Sequence, residues 1–293
     1  MSKAILVTGG NAGIGFALCK QLVSSNEKKC KVFLGARSAE RGQAAVDDIK
    51  SQVPAADIEL LIMDVSDDKS VKAAADKMKD VQLYALVNNA GIGLQTAGSG
   101  GADALLATNF YGPKRVTDAF APMVTDRIVN VSSGGASMWL RNQSDEIKAF
   151  FTNPNTTWDE LAAKMEELKP HQTGGMGCYG MSKAALNLIT IQSAAAYPNL
   201  KVTALSPGFI ATNMTQGYGA KLTPEQGTVS YMKCLFGDVL SGAYYGSDGL
   251  RSPLTVTRDP EGHPRIPRRR RGDDRSCQVQ QLKISPDRIF SSL

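Results

Sequence analysis

The chain has 293 residues, 42% of them hydrophobic, and a formal net charge of +5. That length allows one large α/β domain or two small ones around a sizeable core. No window approaches the ~18 unbroken apolar residues of a membrane span, and from Arg258 onward nine Arg and Lys face five acids, leaving a body too near neutral to bind nucleic acid electrostatically.

Ala4-Ile5-Leu6-Val7 is an apolar run that predicts a strand buried on both faces. Thr8 to Gly15 form a glycine-rich turn, after which Ile14, Leu18 and Leu22 recur at helical spacing. Strand, glycine turn and helix together aim helix N-terminal N–H groups at a phosphate. The glycines fall at 9, 13 and 15, a wider turn than the common dinucleotide fingerprint.

Strand two is read at 31–36 and is followed by Arg37-Ser38, then a helix over about 39–52. An acid at this strand end would repel a ribose 2′-phosphate; Arg37 attracts one, so NADP is favoured over NAD. Strand three, 59–63, leads to Asp64 and to a helix over about 67–78 capped by Ser66 or Asp67. Strand four, 85–88, runs into Asn89-Ala90-Gly91, and one helix is expected to carry Leu105, Leu106, Asn109, Val116 and Phe120. Strand five, 127–131, ends in Ser132-Ser133-Gly134. Strands alternating with helices predict a doubly wound parallel sheet, whose ligands sit beyond the carboxyl ends of the strands. The polar residues just named fall there one after another.

A long stretch from Gly135 to Gly177 intervenes. A short helix is expected over 144–151. Thr157 to Glu160 is a capping box, and Trp158, Leu161, Met165 and Leu168 form an apolar stripe read as packing, with Pro170 closing the helix. Next, Tyr179 and Lys183 stand four apart on a helix and share a face. A sixth strand, 202–205, precedes the turn Ser206 to Thr212. From about Pro260 the chain turns Pro- and Arg-rich, with Arg268 to Arg271 in a row and no apolar periodicity, so a disordered basic tail is expected over 259–293 behind a catalytic domain at 1–258. The arginine run alternatively reads as a nuclear or anionic-surface signal.

Five scattered cysteines without a C-x-x-C pair, and two histidines, argue against a disulfide framework, a zinc site or histidine triad chemistry. A first strand so close to Met1 leaves no room for a signal peptide, so the cytoplasm is the expected location.

Jointly, Thr8 to Gly15, Asp64, Asn88 to Gly91, Asn109, Ser133, Tyr179 with Lys183, and Pro207-Gly208 with Thr212 resemble the short-chain dehydrogenase/reductase family over about 3–257. The long insertion resembles the monomeric carbonyl-reductase branch, with its menthone- and salutaridine-type reductases. The resemblance implies a single Rossmann-type domain with helices on both faces of the sheet and a helical insertion before the tyrosine. It further implies a monomer, a small carbonyl substrate and NADPH as reductant.

By the same resemblance Tyr179 is the general acid, Lys183 binds the nicotinamide ribose and lowers the tyrosine's pKa, and Ser133 hydrogen-bonds the substrate oxygen. Asn109 holds a relay water. Cofactor contacts are implied at Gly9, Asn11, Gly13, Ile14, Gly15, Arg37, Ser38, Asp64, Val65, Asn88, Ala90, Gly91, Tyr179, Lys183, Pro207, Gly208 and Thr212. Ala12 stands where the branch usually has lysine, which leaves the 2′-phosphate to Arg37. Alternative readings are an alcohol dehydrogenase working oxidatively and a non-catalytic NADP-binding sensor or scaffold.

Overall fold

The computed structural model describes residues 2–25, 29–93, 101–172 and 176–252. The expected tail lies outside the described residues.

Strands β1 (Lys3–Thr8), β2 (Cys30–Ala36), β3 (Ile58–Ile62), β4 (Leu83–Asn88), β5 (Val124–Val131), β6 (Lys201–Leu205), β7 (Tyr244–Tyr245) and β8 (Arg251–Ser252) form one sheet in the order β3-β2-β1-β4-β5-β6-β7-β8. All neighbours pair in parallel except β7 with β8, which are antiparallel. The doubly wound parallel sheet read from sequence is present, but its six strands leave out β7 and the antiparallel edge strand β8. At two residues each, β7 and β8 are too short to carry a readable period.

Alternation along each strand fills two cores. Ile5, Val7, Val32, Leu34, Val87, Val129 and Leu205 face one side, against α1 (Gly13–Ser24), α2 (Ala39–Gln52) and α10 (Val229–Phe236). Leu6, Phe33, Leu86, Ile128 and Val202 face the other, against α3 (Asp68–Lys77) and α5 (Gly112–Phe120). Each side chain buried this way contributes about 1.5–3 kcal/mol. Capping follows the sequence: Ser38 accepts from the Arg41 N–H, and Asp67 rather than Ser66 caps α3 by accepting from Lys69.

The helix expected across Asn109 is not one helix. It is α4 (Gly101–Leu106), a π-turn at Ala107–Tyr111, then α5. Beyond β5 lie α6 (Gly134–Arg141), α7 (Asp145–Thr152) and α8 (Trp158–Leu168), with the Thr157–Glu160 capping box formed as read. These pack with α9 (Gly177–Ala196) in a third core holding Leu161, Met165, Leu168, Met181, Ala184 and Leu188. The apolar stripe of α8 is packing. Helices α6 and α10 had no counterpart in the sequence reading.

Candidate active site

Strand order reverses between β1 and β4, so the loops after these strands diverge and leave a crevice at their carboxyl ends. A cleft of about 910 Å³ opens there.

The glycine turn after β1 forms its floor. Gly9 and Gly13 have φ of 64° and 55°, a left-handed conformation that other residues adopt at a cost. A Cβ on Gly9 would lie 2.9 Å from the Ala90 Cα, and one on Gly15 would collide with the Gly9 carbonyl and the Asn89 amide. The turn is therefore shaped for close backbone approach, and α1 begins at its end with unpaired N–H groups. That cradle fits a dinucleotide diphosphate.

Asn89 holds the cradle in shape. Its Nδ2 donates to the carbonyls of Thr8 (2.9 Å) and Gly9 (3.2 Å), and its Oδ1 accepts from the buried Tyr231 hydroxyl (2.8 Å). The Thr8 hydroxyl accepts from the N–H groups of Asn89 and Ala90 at 3.0 and 2.9 Å.

Gly9, Asn11, Gly13, Ile14, Gly15, Arg37, Ser38, Asp64, Val65, Ala90, Gly91, Ser133, Tyr179, Lys183, Pro207, Gly208 and Thr212 all line the cleft. Asn88 does not. It is 3% exposed and points under the sheet, donating to Thr117 (3.0 Å) and Asn130 (2.8 Å). The sequence assignment of Asn88 as a cofactor contact is corrected on this geometry. Strand alternation decides it: Leu86 and Asn88 share the α5 face, and the chain turns toward the cleft only at Asn89.

At one end of the cleft Arg37 is joined by Arg41, one turn into α2, which the sequence reading did not single out. The helical spacing from Ser38 could have found it. Asp64 lies alongside, its Oδ1 accepting from the Ser66 N–H (2.9 Å) and hydroxyl (2.6 Å).

At the other end stand Ser133, Tyr179 and Lys183. Ser133 caps α6, its Oγ accepting from the Gly135 N–H at 3.1 Å, which leaves its hydrogen free to bond the Tyr179 phenol. Burial pushes the Tyr179 phenol up, and the Ser133 hydrogen bond draws it partly back. The Lys183 ammonium is 4% exposed, 5.8 Å from the Tyr179 ring centroid, and donates to the Val131 carbonyl at 2.8 Å. Burial lowers it to about 8. A lysine-depressed tyrosine was expected from sequence. That expectation joined the ammonium to the positive charge of an oxidised nicotinamide; from the protein's own groups the shift is upward, with burial its largest cause.

Asn109 sits on the π-turn beneath the cleft wall. Its Oδ1 accepts from the Ile92 N–H (2.9 Å), and its Nδ2 donates to the Ile92 carbonyl (2.8 Å) and the Ser182 hydroxyl (3.4 Å). A Cβ on Gly91 would lie 3.3 Å from Asn109 Oδ1 and 3.4 Å from Lys183 Nζ, so both side chains flank Gly91. Cys178, next to the tyrosine, is buried, and burial pushes its thiol up to about 11. It is not a nucleophile.

Part of the remaining wall is apolar. Met138, Met176, Phe209, Met214 and Tyr218 line it, and none carries a charge. Among the described residues no helix is long and apolar enough to cross a membrane.

Residues 3–144 match the sequence profile of the short chain dehydrogenase family. The chain is 33% identical to a (+)-neomenthol dehydrogenase of Arabidopsis thaliana over 267 residues, covering 77% of this chain and 88% of that protein. It is 30% identical to the NADPH carbonyl reductase 1 of Homo sapiens over 249 residues, covering 76% and 86%. The solved structure of salutaridine reductase from Papaver somniferum superposes with a TM-score of 0.73 at 26% identity, covering 83% of this chain and 99% of that one.

Proposed function

This chain belongs to the short-chain dehydrogenase family and is an oxidoreductase; from that premise, we propose that it is an NADPH-dependent reductase of ketones, aldehydes or quinones in which Tyr179 is the acid. The observation that carries the reading is that Ser133, Tyr179 and Lys183 line the same cleft as a glycine cradle and two arginines. NADPH, bound along that cleft, supplies the hydride.

The protein's own contribution is position and field. A carbonyl oxygen gains negative charge as its carbon is attacked, and donors placed at that oxygen lower the barrier. Tyr179 donates the proton and Ser133 steadies the oxygen beside it. Lys183, pinned to Val131, stands where a nicotinamide ribose would lie and favours the phenolate once the proton has left. Asn109 and Lys183 both flank Gly91, which supports a role for Asn109 in returning the proton from solvent. Arg37 and Arg41 would take the 2′-phosphate in place of the lysine missing at Ala12. The apolar wall suits a neutral carbonyl compound. A monomer is the companion reading, because α7 and α8 pack on α9.

Consumption of NADPH and NADH with a panel of ketones, aldehydes and quinones tests this, with initial rates in both directions. The expected result is NADPH-dependent reduction faster than alcohol oxidation at neutral pH. Tyr179→Phe should lose at least about 10²-fold in kcat, the usual worth of general acid catalysis, with NADPH affinity nearly unchanged. Retained turnover in that variant would sink the assignment.

A further inference from the structure

The π-turn that carries Asn109 is an uncommon conformation, and such turns persist where their surroundings over-determine them. On the inner side, Asn109 itself grips both backbone groups of Ile92. The outer side is held by the insertion. The Phe110 ring stacks on Trp158 with centroids 5.0 Å apart, and Tyr111 meets the same indole edge-on at 5.9 Å. The Tyr111 hydroxyl donates to Glu166 Oε1 at 3.1 Å. Lys169 bonds Glu166 Oε2 at 2.5 Å and reaches across to Asp103 of α4 at 2.7 Å. Lys114 of α5 lies 5.2 Å over the Trp158 ring.

All these contacts land on positions 103, 110, 111 and 114, bracketing Asn109 on both sides along the chain. Helix α8 is in turn fixed at its start by the Thr157–Glu160 capping box and along its length by burial of Leu161, Met165 and Leu168 against α9. Helix α9 carries Tyr179 and Lys183.

We propose that the insertion is a clasp that sets Asn109 against the catalytic helix, with Trp158, Glu166 and Lys169 of the insertion and Tyr111 of the π-turn as positioning residues. Its role in turnover rests on the reductase reading above; its role in holding the π-turn does not. Individual exposed ion pairs contribute little to stability. Here one tyrosine, one glutamate, one lysine and one indole converge on a single turn, so the effect is on geometry, to which turnover is far more sensitive than folding is.

The test uses the full chain. Tyr111→Phe deletes one hydroxyl, and Glu166→Ala removes the acceptor; Glu166→Gln keeps an acceptor and serves as the rescue. Amide hydrogen exchange at Ile92, whose N–H is held by Asn109, reads the π-turn without cofactor or substrate. Expected in Tyr111→Phe and Glu166→Ala is about tenfold faster Ile92 exchange and about tenfold lower kcat at unchanged NADPH affinity, with Glu166→Gln returning most of both. Unchanged Ile92 protection, or a lower melting temperature with full kcat, overturns the clasp. Should wild type itself show no carbonyl turnover, the reductase reading fails while Ile92 exchange still decides the clasp.

Discussion

The Lys183 ammonium is tied to the Val131 main-chain carbonyl at 2.8 Å, so this buried cation beside Tyr179 is anchored to the end of β5. Its position is set by the sheet, and its charge is maintained almost out of water. Burial holds it near 8, below its ordinary 10.5.

This placement predicts a pH-dependent stability. A folded-state pKa below the unfolded value means the unfolded chain binds more protons between about 8 and 10.5, so the contribution of Lys183 becomes less unfavourable as pH rises through that window. Lys183→Met should therefore melt higher than wild type at neutral pH, by a free energy on the order of 3 kcal/mol, and the gap should close toward pH ~10.5. Comparing the two proteins isolates Lys183 from the buried tyrosines and cysteines, whose shifts run the other way. Thermal melts of cofactor-free protein across pH check it; a gap constant with pH would refute the buried charge. The variant should have no measurable reductase activity.

Arg37 and Arg41 sit together at the cofactor end of the cleft. Each arginine to alanine change should lower the ratio of NADPH to NADH catalytic efficiency about tenfold, or about 1.4 kcal/mol, with smaller effects on NADH alone. KM and kcat with both cofactors decide this. If Arg41→Ala leaves the ratio untouched, Arg37 makes the choice unaided.

Asn88 and Asn89 are neighbours with opposite duties. Asn88→Ala leaves Asn130 and Thr117 short of a buried partner and should cost about 1–3 kcal/mol of stability while NADPH affinity holds. Asn89→Ala releases the Thr8 and Gly9 carbonyls and the Tyr231 hydroxyl, and should weaken NADPH binding about tenfold or more. Cofactor titration and denaturation of both variants provide the comparison; equal effects on binding would contradict the geometry.

Gly91→Ala puts a methyl group between Asn109 and Lys183 at 3.3 and 3.4 Å. The Asn109 side must give by a few tenths of an ångström, and that displacement should lower kcat about tenfold with little change in melting temperature. Steady-state kinetics check it, and a wild-type kcat would show that the two side chains work independently.

The sequence by itself determined the six-stranded parallel body of the sheet, because short apolar runs separated by helical patterns leave few other ways to bury both faces. It also placed Ser133, Tyr179 and Lys183, whose spacing along one helix and at one strand end survives folding unchanged. Glycine turns and strand-end arginines were legible for the same reason: their chemistry is local. What only the tertiary structure decided depends on which way a side chain faces and on what packs against it. Asn88 turned under the sheet while Asn89 took the cleft. The π-turn under Asn109 has no local signature either. It exists because Ile92 on one side and the insertion on the other hold it, through contacts that span 17 to 66 residues of the chain.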